Sequence, residues 1–201
     1  MTLPPGTDYI ESERLLLRRM DESDLDFLIA VHGDPEVARC IGSGAPRTPA
    51  ETERWFADVL HGYVHYGLGP LIVTRKEDGL RLGRSGLSDG VVERTARAGQ
   101  LRRMWFFRTH VPGGTEYDFM PELGYTFARA NWGQGYASEA ARAVSGYARQ
   151  YLNHPAIMSV IHADNIASRS VALKFGVTYR DDVDMNGRVY QRFIWPGFGP
   201  R

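Results

Sequence analysis

Residues 121–152 constrain the fold more than any other part of the chain. "PELGYTFA" (121–128) alternates, with Leu123, Tyr125 and Phe127 on one face and Glu122, Gly124 and Thr126 on the other. That period of two predicts a β-strand. "RANWGQGYASEAARA" (129–143) follows, with Gly133 and Gly135 two apart, and it runs directly into alanine-rich sequence. The spacing predicts a helix from about Gly135 to Leu152, with Ala137, Ala140, Ala141, Val144, Ala148 and Tyr151 as its buried stripe. Small residues on that stripe let a helix lie close to a sheet. The apolar run "AIMSVIHA" (156–163) is of the kind a central strand demands. A strand, a glycine turn, a helix and a second strand make an α/β unit.

The flanking sequence extends this unit. "ERLLLRRM" (13–20) predicts a first strand. The acidic opening "DESDLDFLIAVHG" predicts a helix with Leu25, Leu28 and Ile29 inward, broken at Asp34-Pro35. "TPAETERWFADVLHGYV" carries a capping box, Thr48 with Glu51, and Pro49 at the first helical position. Trp55, Phe56, Val59 and Leu60 form its inner face. Residues 70–75 and 80–88 read as a hairpin turning at Glu77-Asp78-Gly79. Asp164 or Asn165 caps a helix through Phe175, which Gly176 stops, and Asn186-Gly187 turns a last hairpin. The predicted class is α/β: a mixed, mostly antiparallel sheet flanked by about four helices, in one domain over 1–201.

Lys plus Arg and Asp plus Glu both number 24, so the net charge is zero and no basic footprint for nucleic acid is present. No stretch approaches the length of apolar sequence that spans a membrane. Cys40 is the only cysteine, which excludes an internal disulfide and a cysteine-based metal cluster and suits the cytoplasm.

Amides at a helix start lack internal partners and carry the positive end of the helix dipole. Glycines there let an anion approach the backbone. Gly133, Gln134, Gly135, Tyr136 and Ala137 are therefore candidates to cradle a phosphate or pyrophosphate. A Walker loop needs a lysine that is absent, and a dinucleotide fingerprint needs a glycine where Ser138 stands. The remaining design is the pyrophosphate loop of acetyl-coenzyme A enzymes.

"WGQGYA" (132–137) resembles the Gln/Arg-x-x-Gly-x-Gly/Ala motif of the GNAT superfamily of acyltransferases, with Trp132 in place of Gln/Arg. "ELGYTFARANWGQGYASEA", "SERLLLR" (12–18), "GDPEVARCIG" (33–42) and "NIASRSVALKFG" (165–176) are similar, in order, to its RimJ/RimL-type branch, which acetylates ribosomal-protein N-termini. The resemblance covers roughly residues 11–195, apart from 91–118, an insertion between the third and fourth strands. It implies acetyl-CoA as cosubstrate, no metal, and an amine acceptor, a protein N-terminus or a small molecule. It also implies a sheet splayed between its fourth and fifth strands, 121–128 and 156–163, with the pantetheine arm in the gap.

On that resemblance the cosubstrate contacts are Leu123, Gly124 and Tyr125 on the strand, Trp132 to Ser138 at the turn, and Asn165 and Ser168 on the following helix. A backbone N–H near Gly124–Tyr125 would polarise the thioester carbonyl. Glu122 is the expected base, and Ser168, with Asn165, would meet the sulfur. Many GNAT enzymes carry a tyrosine acid seven residues after that asparagine; here the position is Ala172. His162 and Cys40 are weaker candidates, as a core histidine and a cysteine without a triad pattern. The insertion, with Arg102, Arg103, Trp105, Phe106 and Phe107, is expected to form an extended hairpin that lids the acceptor pocket or contacts a second subunit in a homodimer. The alternative reading is a non-catalytic coenzyme A-binding or interaction module that keeps the fold, favoured by Trp132 and Ala172.

Overall fold

A computed structural model describes residues 9–152 and 154–198. The chain opens with strands β1 (Tyr9–Glu11) and β2 (Leu15–Arg18), a hairpin of which the sequence predicts only the second arm. Asp21 caps a single 3-10 turn that leads into helix α1 (Leu25–Gly33). The buried face of α1 is Leu28, Val31 and His32; Leu25 and Ile29 are only partly covered. Asp34 then caps the one-turn helix α2 (Pro35–Ala38).

The predicted capping box forms. Thr48 and Glu51 bond reciprocally at the start of helix α3 (Pro49–His65), which buries Trp55, Phe56 and Val59. Strands β3 (Gly69–Arg75) and β4 (Arg81–Ser88) pair as the expected hairpin. Residues 91–119 then form three short strands, β5 (Val91–Glu93), β6 (Arg102–Trp105) and β7 (Tyr117–Phe119). Strand β8 (Glu122–Phe127) leads through the glycine turn into helix α4 (Tyr136–Tyr151). Strand β9 (Met158–His162), helix α5 (Ile166–Leu173) and the hairpin of β10 (Thr178–Met185) with β11 (Arg188–Ile194) complete the order. Asn186 and Gly187 both take the left-handed conformation that the two-residue turn requires.

The strands form one sheet in the order β1-β2-β3-β4-β8-β9-β11-β10-β6-β5-β7. Pairing is antiparallel except at β8–β9 and β10–β6. The molecule is thus a single α/β domain with a mixed, open sheet. Its main core lies where α3 and α4 pack on the central strands, and Ala140, Ala141, Val144 and Ala148 of α4 are fully covered. Their small side chains bring the helix axis near the sheet. Tyr151, expected in that stripe, is 51% exposed and stacks on Tyr147, because the last turn of α4 leaves the sheet; Tyr136, Ser145 and Tyr147 are buried instead.

The segment 91–119 forms three short strands where one extended hairpin is expected. β5 pairs with both β6 and β7, and β6 joins the sheet edge by running parallel to β10. Asp181 of β10 accepts from Arg102 of β6 and from Arg192 of β11, fastening the added strand. Beneath it lies a second small core, Val92, Met104, Met158, Val183, Met185 and Tyr190.

Candidate active site

The glycine turn is built as an open amide cradle. Gly133 and Gly135 have φ of 75° and 82°, a region that L side chains rarely adopt. A Cβ on Gly133 would meet nothing within 4 Å, and one on Gly135 only Arg14 Nη2 at 3.5 Å. The protein therefore keeps this space clear without filling it. Gly135 caps α4 with no side-chain hydrogen bond, and the first backbone bond across the boundary is Glu139 N–H to the Gly135 carbonyl. The earlier amides, Tyr136 to Ser138, face outward at the positive end of the helix. Arg14 adds a cation: it donates to the Gln134 carbonyl at 3.2 Å and pairs with Glu139 at 2.7 Å. The Trp132 indole N–H is used internally, donating to the Phe127 carbonyl at 2.9 Å, while the residue stays 46% exposed. Tyr136 sends its ring into the core and offers the turn only its backbone.

Next to the cradle the sheet comes apart. β8 and β9 share one parallel register pair, Glu122↔Met158, closed by Met158 N–H on the Pro121 carbonyl at 2.9 Å. Beyond it the ladder stops. Ser159 pins the base of the opening: its hydroxyl donates to the Leu123 carbonyl at 2.6 Å and accepts from the Trp195 indole at 2.9 Å. Since the Leu123 carbonyl faces β9, alternation turns the Tyr125 amide toward the same gap. The expected splay between these two strands is present.

A cavity of about 80 Å³ runs through this opening and is lined from both sides. On one side is Glu122, only 5% exposed. Burial pushes its carboxyl up to about 8, against the opposing charge of Arg84. Arg84 belongs to this face because β4 and β8 pair with Arg84 opposite Thr126 and Ser88 opposite Glu122. Its guanidinium lies over Trp55, 4.8 Å from the ring centre, and its Nε donates to His32 Nε2 at 3.2 Å. Burial pulls Arg84 down to about 9 and His32 down to about 2, so near neutrality the arginine is charged and the histidine is not.

On the other side of the opening are Tyr125, Asn165 and Ser168. Asn165 caps α5 by accepting from Ser168 N–H at 3.0 Å, so capping and lining fall to one residue. The Ser168 hydroxyl donates to the Tyr125 oxygen at 3.0 Å, and Tyr125 donates to the Ser168 carbonyl at 3.0 Å. Burial pushes the Tyr125 phenol up to about 12. Ala172, at the position of the missing tyrosine acid, is fully buried in the core.

A larger cavity of about 680 Å³ continues outward from the Glu122 side. Arg47, Trp55 and the loop at Ile41–Gly42 line both spaces. Trp105, Phe106, Phe107 and His110 of the added segment form its far wall. Cys40 lies in the lining of the smaller cavity, whereas His162 sits outside both, accepting from Arg188 at 3.0 Å and edge-on to Tyr190. Among the described residues no group of histidine, cysteine and carboxylate side chains is arranged to hold a metal, and no helix is long and apolar enough to cross a membrane.

The structure thus brings Glu122, Leu123, Gly124, Tyr125, Asn165 and Ser168 to one opening, with Trp132 to Ser138 as a separate cradle at the N-terminus of α4. Sequence reasoning passed over Arg14, Arg47, Arg84, His32, Ser159 and the Tyr125 hydroxyl. Arg84 gave one signal, a charge inside a strand between Gly83 and Ser85. The others acquire a role only through contacts between separate elements of the fold.

An open mixed sheet thus parts beside a helix whose first amides are bare. The model of the acetyltransferase (GNAT) domain matches residues 14–178. The chain belongs to the GNAT acetyltransferase family. It is 30% identical over 169 residues to the uncharacterized protein YkkB of Bacillus subtilis (strain 168), covering 84% of each chain. Its fold is similar to an acetyltransferase from Agrobacterium tumefaciens str. C58, with a TM-score of 0.70 at 22% identity over 97% of this chain and 98% of that one. It is also similar to RimL, a ribosomal L7/L12 alpha-N-protein acetyltransferase in complex with coenzyme A, with a TM-score of 0.66 at 14% identity over 92% and 96%.

Proposed function

We propose that this chain transfers the acetyl group of acetyl-CoA to a primary amine by direct attack, with Glu122 as base. The observation that carries the reading is Glu122 itself, a buried carboxyl raised to about 8 at the mouth of the β8–β9 opening. A group with a pKa near the working pH is suited to proton transfer. Acetyl-CoA, when bound, supplies the thioester acyl group.

The chain's own groups have separable roles. Amides 133–138 hold the diphosphate, in space that the left-handed glycines leave clear. The gap-facing Tyr125 amide donates to the acyl carbonyl. Glu122 takes the proton of the attacking nitrogen. Releasing that proton at neutral pH costs about 1 kcal/mol for an α-amine of pKa ~8, and about 4–5 kcal/mol for a lysine-type amine of ~10.4. An α-amine therefore suits a carboxylate base best. With coenzyme A bound, the Ser168 and Tyr125 hydroxyls would turn from their present acceptors to donate to the leaving sulfur, with Asn165 holding the helix start. A phenol at about 12 is a weaker acid than a thiol of ~8.5, so Tyr125 steadies the departing charge and does not give up its proton. The segment 91–118, read as an insertion in a single domain over 1–201, walls the acceptor space. The lone Cys40 supports a cytoplasmic setting.

Free thiol released from acetyl-CoA with a panel of primary amines tests the reading. Turnover with at least one amine, together with calorimetric binding of coenzyme A, is expected. Coenzyme A binding with no thiol release across the panel would instead favour the non-catalytic module.

A further inference from the structure

Arg47 and Arg84 both line the smaller cavity with Glu122, Arg47 also lines the larger one, and neither forms a direct ion pair among the described residues. Arg47 Nη1 is fully buried and has no hydrogen-bond partner. Its guanidinium lies 5.5 Å from the Trp55 ring centre, and that of Arg84 lies 4.8 Å from the same ring. Arg84 spends one N–H on neutral His32, and among the described residues no ion pair joins either arginine to an acid. The nearby carboxylates act on these arginines without touching them: Glu51 and Asp58 favour the charge of Arg47, and Glu122 that of Arg84. Glu51 accepts from Thr48 at the start of α3, and Asp58 pairs with His110 at 3.2 Å. A buried guanidinium N–H left without a hydrogen bond, as at Arg47, is costly to a fold. Both arginines lie against the Trp55 ring, within the lining that also contains Glu122.

We propose that the acceptor is a small amine bearing an oxyanion, a carboxylate or phosphate, which Arg47 and Arg84 bind beside Trp55 while the amine faces Glu122. This rests on the acetyl-transfer reading and names its substrate class. Arginine forks match the planar oxygens of a carboxylate or the faces of a phosphate, and such charge-assisted bonds are strong when shielded from water. The larger cavity of about 680 Å³, which shares Arg47 and Trp55 with the smaller one, gives room for the rest of such a molecule. The anion also sets the register of the amine, since it fixes one end while Glu122 receives the other.

Matched pairs test this: alanine against ethylamine, phenylalanine against phenethylamine, and O-phosphoethanolamine against ethanolamine, with a C-terminally amidated neutral peptide as a fourth arm. The anionic member is expected to win in kcat/KM by roughly 10–100-fold in at least one pair. A win by the amino acids identifies a carboxylate, and a win by the phosphate ester identifies a phosphate. Arg47→Met is expected to collapse that ratio, and Arg47→Lys to restore part of it. Equal rates within every pair, a preference for the neutral member or for the amidated peptide, or a ratio untouched in Arg47→Met overturns the proposal. If no amine turns over, acetyl transfer fails as a reading. Calorimetric titration of the coenzyme A-saturated wild type with the same pairs then decides the inference separately, and no tighter binding of the anionic member overturns it.

Discussion

Glu122 is neutral in most molecules at pH 7, and this gives it two separable signatures. Its carboxyl rises from an ordinary 4.5 to about 8, first through burial, with Arg84 opposing. Between those values the folded chain keeps a proton that the unfolded chain releases. The stability this group supports is therefore complete below about pH 4.5 and is lost as pH rises through 8, by about 1.4 kcal/mol per pH unit within the window. Glu122→Gln cannot ionise, so its melting temperature should gain on the wild type between pH 5 and 9. Coincident melting curves across that range would remove the raised carboxyl. The catalytic signature runs the other way. Wild-type kcat/KM should climb to a plateau above about pH 8, and Glu122→Gln should lose at least about 100-fold with no such limb.

Two short elements separate binding from folding. In the turn before α4, Gly133→Ala places a methyl group in open space at a φ of 75°. The backbone cost is about 1–2 kcal/mol. Affinity for coenzyme A should fall more than tenfold, because the methyl occupies the room the diphosphate needs; calorimetry that finds affinity unchanged would contradict the cradle. At the base of the β8–β9 opening, Ser159→Ala strands the Leu123 carbonyl and the Trp195 indole, both buried. Denaturant unfolding should report a loss of about 2 kcal/mol, and the opening should lose its fixed width. Equal stability would mean that another group replaces the Ser159 bridge.

At the scale of the molecule, the two ends of the site depend on different parts of the chain. The glycine turn hangs on β8 and α4, whereas the wall of the larger cavity draws on α3, the loop near Gly42, and the segment 91–119. Removing residues 94–115 would delete β6, strip Met104 from the second core and release Asp181 from Arg102. The shortened protein should melt lower and lose discrimination among amines, while coenzyme A affinity stays within about threefold. A parallel fall in coenzyme A binding would show that the two halves of the site are coupled through the sheet.

Local chemistry made much of this legible in advance. Alternation along 121–128, the Thr48–Glu51 capping box, the Asn186-Gly187 turn and the glycines before α4 each encode their own conformation, because the interactions that fix them lie within a few residues. Glu122 could be picked out from its strand face together with the GNAT resemblance, and Asn165 and Ser168 through that resemblance. Other features had no local trace. The Arg84 pairing opposite Thr126, the Trp55–Arg84 stack, the meeting of Tyr125 with Ser168 and the docking of β6 on β10 join residues 29 to 81 positions apart. The raised carboxyl of Glu122 is of this second kind, since a pKa depends on which distant chains exclude water and which charges they bring. Sequence alone therefore determined the elements and the bare amides of the turn, whose causes are short-range; only the tertiary structure decided the electrostatics of the opening and the shape of the acceptor wall, whose causes act across the sheet.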